Sequence, residues 1–456
     1  GGAYAKHMVQ AQRILDGGLP NMIEERLEVA PLVGLVLEAL RGLPGSAWSG
    51  WPLLAQENQL RKRFKSARAR AALSFQSLYV GLTPYDAPSV FGLLQPLELG
   101  PVPDAGRFGG QRHRQGIFYP KGGFGTVRDG LLQLAMQAGA EVRLGAEVVD
   151  LELGAGSQVE GVAWREASSS ATWCAETQPM ATVTSCRACV VNADLPLFEA
   201  KVLGPKGLAR PQVASAELSS SVVALHLAID TDALRGDQGL GHHTLFLATD
   251  PGGGGGWDDD RARPLDEPRR RLAWDWGSRL TGAAPGSEGE ALRLGGAEAS
   301  GAVNFYVHAP ATTDPSCCPK GHDAITVLVP CAPTTDDEAR DPRNEAALEA
   351  AIVGHARTLV KERLEWCFPG FKLDEHLVAE RTVGPFEWRR LYGLKGGAVF
   401  GLSHPLSQLS VFRPGPRHPK AKGLYFAGAS GRPGNGVPLV LIGAESTARA
   451  VLGDLA

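Results

Sequence analysis

The spacing of apolar residues along the chain predicts several helices. Between Ile14 and Leu43, leucine, isoleucine and valine recur at steps of three and four residues, which places them on one face of a helix. Residues 9–80 are therefore predicted to be helical, with breaks at the prolines 20, 31 and 44. The same criterion predicts helices at Thr126–Ala138, Glu345–Glu365 and Val437–Val451.

Alternating or short continuous apolar runs predict strands between these helices. The predicted strands are Glu141–Leu144, Val148–Leu153, Val159–Trp164, Cys189–Asn192, 219–230, 241–249, Phe305–His308, Ala324–Val329 and Leu424–Ala427, of which the first three are expected to form a meander. This mixture predicts an α/β or α+β protein with mixed sheets. Residues 251–300, rich in glycine, aspartate and arginine, are predicted to be a disordered insert.

Composition narrows the class of protein. A chain of 456 residues predicts two or three lobes, because one hydrophobic core stops growing at roughly 250–300 residues. A formal charge of −3 argues against a nucleic-acid partner, and no apolar run is long enough to span a bilayer. The basic run 61–70 is either a solvated helix face or a surface that meets a membrane or cofactor. Because the chain begins Gly1-Gly2 and its first methionine is Met8, we expect a fragment or a cleaved form.

The 7 cysteines do not indicate a disulfide framework, since they are sparse and odd in number. Cys186 and Cys189 have the spacing of a redox or zinc motif, but no second pair follows at a suitable distance. We interpret the thiols as structural, with zinc or redox chemistry as the alternative. No metal is expected.

A glycine-rich turn near the C-terminus is the sharpest chemical feature. A predicted strand from Leu424 runs into a turn that contains glycines 428, 431, 434 and 436, and a helix starts at once. Glycines let a ligand approach the backbone closely, and a helix N-terminus presents free N–H groups. The turn therefore suits a phosphate or the carbonyl edge of a flavin. A tight turn before a packing helix is the alternative.

This ending resembles the C-terminal segment of phytoene desaturases of the bacterial and fungal type, in which a similar strand leads to a Pro-Gly-x-Gly-x-Pro turn. The resemblance extends over nearly the whole chain apart from 251–300. The segments that carry it are Leu73–Gly81, Phe118–Gly123, Val190–Asp194, Tyr306–Pro310, Asp314-Pro315, Val327–Pro330, Trp388-Arg389, Ala398–His404 and Phe412–Lys420. Two positions depart from the family pattern: Gly431-Arg432 replaces Thr-His, and Ser66 replaces an acidic residue before Arg70.

The resemblance implies a glutathione-reductase-like FAD-binding fold, α/β with an α+β second lobe. Residues 116–194 and 420–456 would belong to the FAD-binding lobe. Residues 1–115 and 195–419 would form a lobe that faces substrate and membrane. The family's first βαβ segment, with the Gly-x-Gly-x-x-Gly turn that binds the FAD pyrophosphate, is not found in the sequence. We therefore expect this chain to bind FAD weakly or not at all.

The resemblance also implies an activity and its site residues. FAD would accept hydride from a long hydrocarbon of the phytoene type, which introduces double bonds. The residues implied to contact FAD are Lys121, Gly122, Gly123, Val148, Asn192, Ala193, Gly428, Ala429, Gly434, Asn435, Gly436 and Val437. The candidate catalytic residues are Arg70, Glu387, Arg389 and His404, with His308 a further candidate base and Arg413 a further candidate for reduced flavin.

Two alternatives remain open from the sequence. One is a carotenoid isomerase or saturase of the same family, although Ala398–His404 favours a desaturase. The other is an inactive relic or a scaffold in a carotenoid-making complex. A carotenoid substrate is insoluble in water, so we expect a peripheral location on a membrane surface, in a plastid if the host is photosynthetic.

Overall fold

The computed structural model describes residues 2–19, 55–82, 84–99, 117–166, 181–236, 239–246, 304–334, 342–409 and 412–456. These residues form two compact units. The first contains the described residues up to 123 and those of 218–406, and the second contains those of 124–217 and 407–456. The predicted insert at 251–300 lies outside the described residues, as do residues 20–54 of the predicted helical region.

The helices and strands are numbered in chain order. The helices are α1 (Gly2–Leu19), α2 (Gln56–Arg61), α3 (Ala67–Leu73), α4 (Leu94–Leu99), α5 (Phe124–Gln137), α6 (Leu195–Phe198), α7 (Pro211–Ala214), α8 (Pro342–Cys367), α9 (Leu373–His376), α10 (Pro385–Tyr392) and α11 (Val437–Leu455). The strands are β1 (Ala146–Leu153), β2 (Val159–Glu166), β3 (Thr182–Ser185), β4 (Cys189–Val191), β5 (Ser221–Ile229), β6 (His243–Phe246), β7 (Phe305–His308), β8 (Asp323–Cys331), β9 (Leu377–Val383) and β10 (Leu424–Phe426).

The first unit is built on a five-stranded antiparallel sheet in the order β6-β7-β8-β5-β9. Along β8, Ile325, Val327 and Val329 are buried while the residues between them are partly exposed, because successive side chains of a strand point to opposite faces. The buried side chains join those of β5 and of the long helix α8 in one core. In α8 the buried residues recur at three- and four-residue steps, as the apolar face of an amphipathic helix requires.

The second unit contains two small sheets. Strands β1, β2 and β3 form an antiparallel meander, and β4 pairs with β10 in parallel. A core of buried apolar residues joins Leu151 of β1, Val191 of β4 and Phe426 of β10. Helix α5 differs from these elements, since none of its described side chains is buried.

The meander was predicted with the wrong first strand. Residues 141–144 form no strand, although Val142 and Leu144 alternate with polar residues; the third strand is β3, which was not predicted. Strand β9 was also missed. The other predicted strands contain or overlap the observed ones, and the predicted helices over Thr126–Ala138, Glu345–Glu365 and Val437–Val451 correspond to α5, α8 and α11. The assignment of residues 116–194 and 420–456 to a FAD-binding lobe stays a prediction.

Candidate functional site

The carboxyl ends of the parallel strands β4 and β10 lie side by side. Val191 ends β4 directly beside Phe426, which ends β10. Beyond these ends, Asn192 Nδ2 donates a hydrogen bond to the Ala427 carbonyl at 3.0 Å, and Ala427 N donates to the Val191 carbonyl at 3.0 Å. The structure therefore brings Asn192 and Ala193 next to the turn that starts at Gly428. In open α/β sheets, ligands bind at the carboxyl ends of the strands.

The backbone conformation at position 428 and the nearby Asn192 side chain both bear on why this residue is a glycine. Its φ of +114° is a conformation that side chains rarely adopt, and a Cβ there would lie 2.7 Å from Asn192 Nδ2. The backbone conformation therefore favours glycine at this position, and a side chain there would also displace the Asn192 amide.

Arg413 stabilises the glycine turn by hydrogen bonds to its backbone. Its side chain is almost fully buried, and it donates from Nη2 to the Ala429 carbonyl at 2.8 Å and from Nε to the Gly431 carbonyl at 3.2 Å. Burial lowers the pKa of Arg413 to about 10. The carbonyl of Arg413 accepts a hydrogen bond from Arg432 Nε at 2.8 Å. These contacts support the turn, so the interpretation of Arg413 as a flavin contact has no support from its described partners.

The N-terminus of α11 is the second component of the site. Gly436 is the N-cap, with a φ of +106°, and its α11 terminus carries no side-chain cap. A Cβ built on Gly436 would have no heavy atom within 4 Å, so the space in front of it is open. Asn435 beside it is buried. Uncapped N–H groups at a helix N-terminus attract anions and electron-rich oxygens.

The body of α11 packs tightly against the turn and the strand. A Cβ on Gly443 would lie 2.7 Å from the Arg432 carbonyl oxygen, so glycine is needed for this approach. One turn further, Thr447 Oγ1 donates a hydrogen bond to the Phe426 carbonyl at 2.8 Å. The helix N-terminus is therefore positioned by contacts along its buried face.

The remaining predicted cofactor residue of the second unit is Val148. It lies in β1 opposite Trp164, and 52% of it is exposed. Its backbone is next to an irregularity in the pairing of β1 with β2. The predicted contact of Val148 with adenine stays a prediction.

Lys121, Gly122 and Gly123 belong to the first unit. They form a turn in which both glycines have a φ of +83°. Gly122 N donates to Asp314 Oδ2 at 3.0 Å. The hydrogen bonds that Ser316 and Gly122 donate hold the pKa of Asp314 below its ordinary value. The contact of Lys121, Gly122 and Gly123 with a flavin stays a prediction.

The predicted catalytic residues with charged side chains are each engaged in ion pairs of the first unit. Arg70 Nε pairs with Glu57 Oε1 at 3.0 Å, and Arg389 Nη1 pairs with Glu345 Oε1 at 2.9 Å. The Glu387 carboxylate accepts from Arg381 and from Arg390. The described contacts do not bring these residues together in one cluster.

The two candidate histidines lie in different surroundings. His404 is buried, and its ring packs edge-on against Phe91 at 6.1 Å. His308 ends β7, and burial lowers its pKa to about 4. An imidazole with so low a pKa is neutral at pH 7 and is a weak proton acceptor. Neither observation tests the catalytic assignment.

Comparison with known proteins identifies the relatives of the chain. It is 30% identical over 386 residues to the zeta-carotene-forming phytoene desaturase of Myxococcus xanthus, an alignment that covers 84% of this chain and 59% of that protein. It is 29% identical over 414 residues to the phytoene desaturase of Fusarium fujikuroi, covering 88% and 61%. Over most of its length the chain is similar to phytoene desaturases. It spans about three fifths of the length of these curated relatives, and no protein-family model matches it.

Solved structures resemble the chain at lower sequence identity. An oxidoreductase from Methanosarcina mazei matches with a TM-score of 0.48 and 15% identity, covering 93% of this chain and 73% of that one. A putative protoporphyrinogen oxidase from Exiguobacterium sp. 255-15 matches with a TM-score of 0.48 and 10% identity, covering 94% and 73%.

Two carboxylates of the first unit were not predicted as part of the site. Glu57 is buried and binds Arg70, and Asp314 binds the turn at Gly122. Asp314 was within a segment that carried the family resemblance, but nothing in the spacing linked it to a turn 192 residues away. Glu57 had no sequence signal, because its partner lies beyond the end of its own helix.

The described part of the chain has no membrane-spanning helix: none is both long enough and apolar enough to cross a bilayer. Nor do three or more His, Cys, Asp or Glu side chains there form a group that could hold a metal. Cys186 and Cys189 are both free thiols. Burial raises the pKa of Cys189 to about 11, which disfavours the reactive thiolate.

Proposed function

We propose that the chain is part of a FAD-dependent carotenoid desaturase, which introduces double bonds into a long hydrocarbon of the phytoene type. The observation that carries this proposal is the 29–30% identity with phytoene desaturases over 84–88% of the chain. The relatives are longer than this chain, so the activity is proposed for the whole protein.

The geometry of the second unit fits a flavin. Open space lies in front of Gly436, and the uncapped α11 terminus offers N–H donors to a group that gains negative charge. Residues at the strand ends and the glycine turn would hold it: Asn192, Ala193, Gly428, Ala429, Gly434, Asn435, Gly436 and Val437. When bound, FAD supplies a hydride acceptor, which no side chain can provide.

The protein's own residues have the remaining tasks. Arg413 keeps the turn in place through the carbonyls of Ala429 and Gly431. Lys121, Gly122 and Gly123 of the first unit stay candidate contacts of the cofactor. His404, Glu387 and His308 are the candidates for the group that removes a proton from the substrate, and Arg70 and Arg389 for charge stabilisation. The hydrocarbon would be held by apolar burial, which contributes about 0.8 kcal/mol for each CH₂.

The proposal is tested with the whole gene product purified and loaded with FAD. It is then incubated with phytoene in lipid vesicles, and the products are separated by chromatography with absorbance detection. A product with more conjugated double bonds supports the desaturase. A product with an unchanged number of double bonds indicates an isomerase, and one with fewer indicates a saturase. Absence of both bound flavin and turnover contradicts the proposal and favours a scaffold. Flotation of the protein with the vesicles tests the proposed membrane surface.

A further inference from the structure

Two histidines meet at one edge of the first unit's sheet. His308 is the last residue of β7 and pairs with His243, the first residue of β6. The preceding residue, His242, continues the pairing, because Ala309 N donates to the His242 carbonyl at 2.9 Å. The imidazoles of His242 and His308 are thus carried by neighbouring segments of an antiparallel ladder.

The two rings face each other through their Nε2 atoms, which are 3.1 Å apart. In a simple hydrogen bond one of these nitrogens carries the proton and the other accepts it. The same spacing also fits two ligands of one metal ion. Nitrogens that are each about 2.05 Å from a metal and 3.1 Å apart subtend an angle of about 98° at the metal. This angle lies between the octahedral and the tetrahedral values.

Neighbouring groups hold the rings in this orientation. His242 Nδ1 lies 2.7 Å from Thr313 Oγ1, so a proton on Nδ1 can be donated to that hydroxyl while Nε2 keeps its lone pair. The His308 ring stacks on His243 at 5.7 Å, and the Tyr119 ring packs against His242 at 4.9 Å. A hydrogen bond from a ligand's second nitrogen is the usual support of metal-binding histidines.

Both imidazoles are available as ligands. Metal ions bind the neutral imidazole, and a histidine with its ordinary pKa of about 6.5 is largely neutral at pH 7. His242 is only partly buried, so an ion can reach it.

We propose that His242 and His308 bind one divalent transition-metal ion through their Nε2 atoms, with water in the remaining coordination positions. His243 is not required, because the pair is defined by the 3.1 Å distance between the Nε2 atoms of His242 and His308. Imidazole ligands without a carboxylate favour copper, nickel and zinc over magnesium or calcium, with Cu²⁺ bound most tightly. The argument for this site does not rest on the proposed desaturase activity.

The test is a calorimetric titration of chelator-treated, desalted protein with NiCl₂ and ZnCl₂. We expect one equivalent of metal to bind to the unchanged chain. His308→Gln should weaken the affinity at least ten-fold. Glutamine can still hydrogen-bond to His242, so this variant should fold, as checked by circular dichroism. His242→Gln is the second variant, which decides the matter if the first does not fold.

The controls distinguish the pair from other donors. His226→Gln changes a histidine elsewhere on the same sheet and should keep the wild-type affinity. Thr313→Val should lower affinity by about ten-fold while leaving the stoichiometry unchanged. Lack of binding by the unchanged chain overturns the proposal, as does undiminished binding by the folded His242 and His308 variants.

Discussion

Glycine 443 allows a direct test of how α11 is positioned. In an exposed helix, replacing glycine by alanine stabilises by about 1 kcal/mol. At Gly443 the added Cβ would lie 2.7 Å from the Arg432 carbonyl oxygen and 3.4 Å from Pro433 Cδ. The close atom belongs to the backbone, so it cannot rotate away, and overpacking of this kind costs about 1–3 kcal/mol. We therefore expect Gly443→Ala to destabilise the second unit or, at best, to leave it unchanged.

Gly453→Ala is the matched control in the same helix. Gly453 was expected beyond the end of the C-terminal helix, but it lies inside α11, and a Cβ there would have no heavy atom within 4 Å. This variant should gain up to about 1 kcal/mol. The difference between the two variants thus isolates the clash, about 1–3 kcal/mol.

Urea unfolding followed by circular dichroism measures both changes, and hydrogen exchange over residues 437–455 locates them. We expect faster exchange in Gly443→Ala, because α11 must move away from the turn at Arg432. Equal stability of the two alanine variants would refute the reasoning, since the clash would then be relieved at no cost.

Three further changes have expected outcomes. Gly436→Val, at an open position with a φ of +106°, should reduce flavin bound to the whole protein, measured by absorbance, whereas Gly453→Ala should retain it. Glu199→Gln should lower the free energy of unfolding in urea by about 3–5 kcal/mol, because it leaves Arg210 buried without the carboxylate partner that lies 2.6 Å away. Its control, Glu445→Gln, breaks an exposed ion pair and should lower the free energy of unfolding by only about 0.3–0.5 kcal/mol. Acidification from pH 7 to pH 4 should lower the urea midpoint, because His7 and His308 have a pKa of about 4 in the folded chain and 6.5 in the unfolded chain. The unfolded chain therefore takes up protons first, and acid favours it. If the urea midpoint of His308→Gln fell as steeply with pH as that of the unchanged chain, the assignment of His308 would be contradicted.

Elements with buried, regular patterns were predictable from sequence. Strand β7 was predicted with its observed bounds, because buried Phe305 and Val307 alternate with partly exposed residues. Strand β3 could not be predicted in this way, since all four of its residues are exposed and it is stabilised by pairing with β2. The reverse error occurred at Val142 and Leu144, which alternate with polar residues but are 46% and 90% exposed. Alternation predicts a strand only where a neighbouring strand and a core are present.

One part of the candidate site could be predicted from the sequence, and another part could not. The family resemblance assigned Asn192 and Gly428 to one cofactor site, and the structure brings them together through the parallel pair β4 and β10. The support of the turn by Arg413 was not predictable, because its acceptors are backbone carbonyls 16 and 18 residues away, which carry no sequence signal.

Arg70 shows how a missing motif residue can be replaced in space. The family pattern has an acidic residue where this chain has Ser66, and Ser66 instead accepts a hydrogen bond from Ala69 N at 3.2 Å as the N-cap of α3. The carboxylate beside Arg70 comes from Glu57 in α2, which is 5% exposed and also binds Arg61. Because the Glu57 carboxylate is engaged by two guanidinium groups, its role in the described structure is to fix Arg70 in place. If Arg70 acts in catalysis, its contribution is therefore positive charge, and the proton acceptor must be sought among the other candidates.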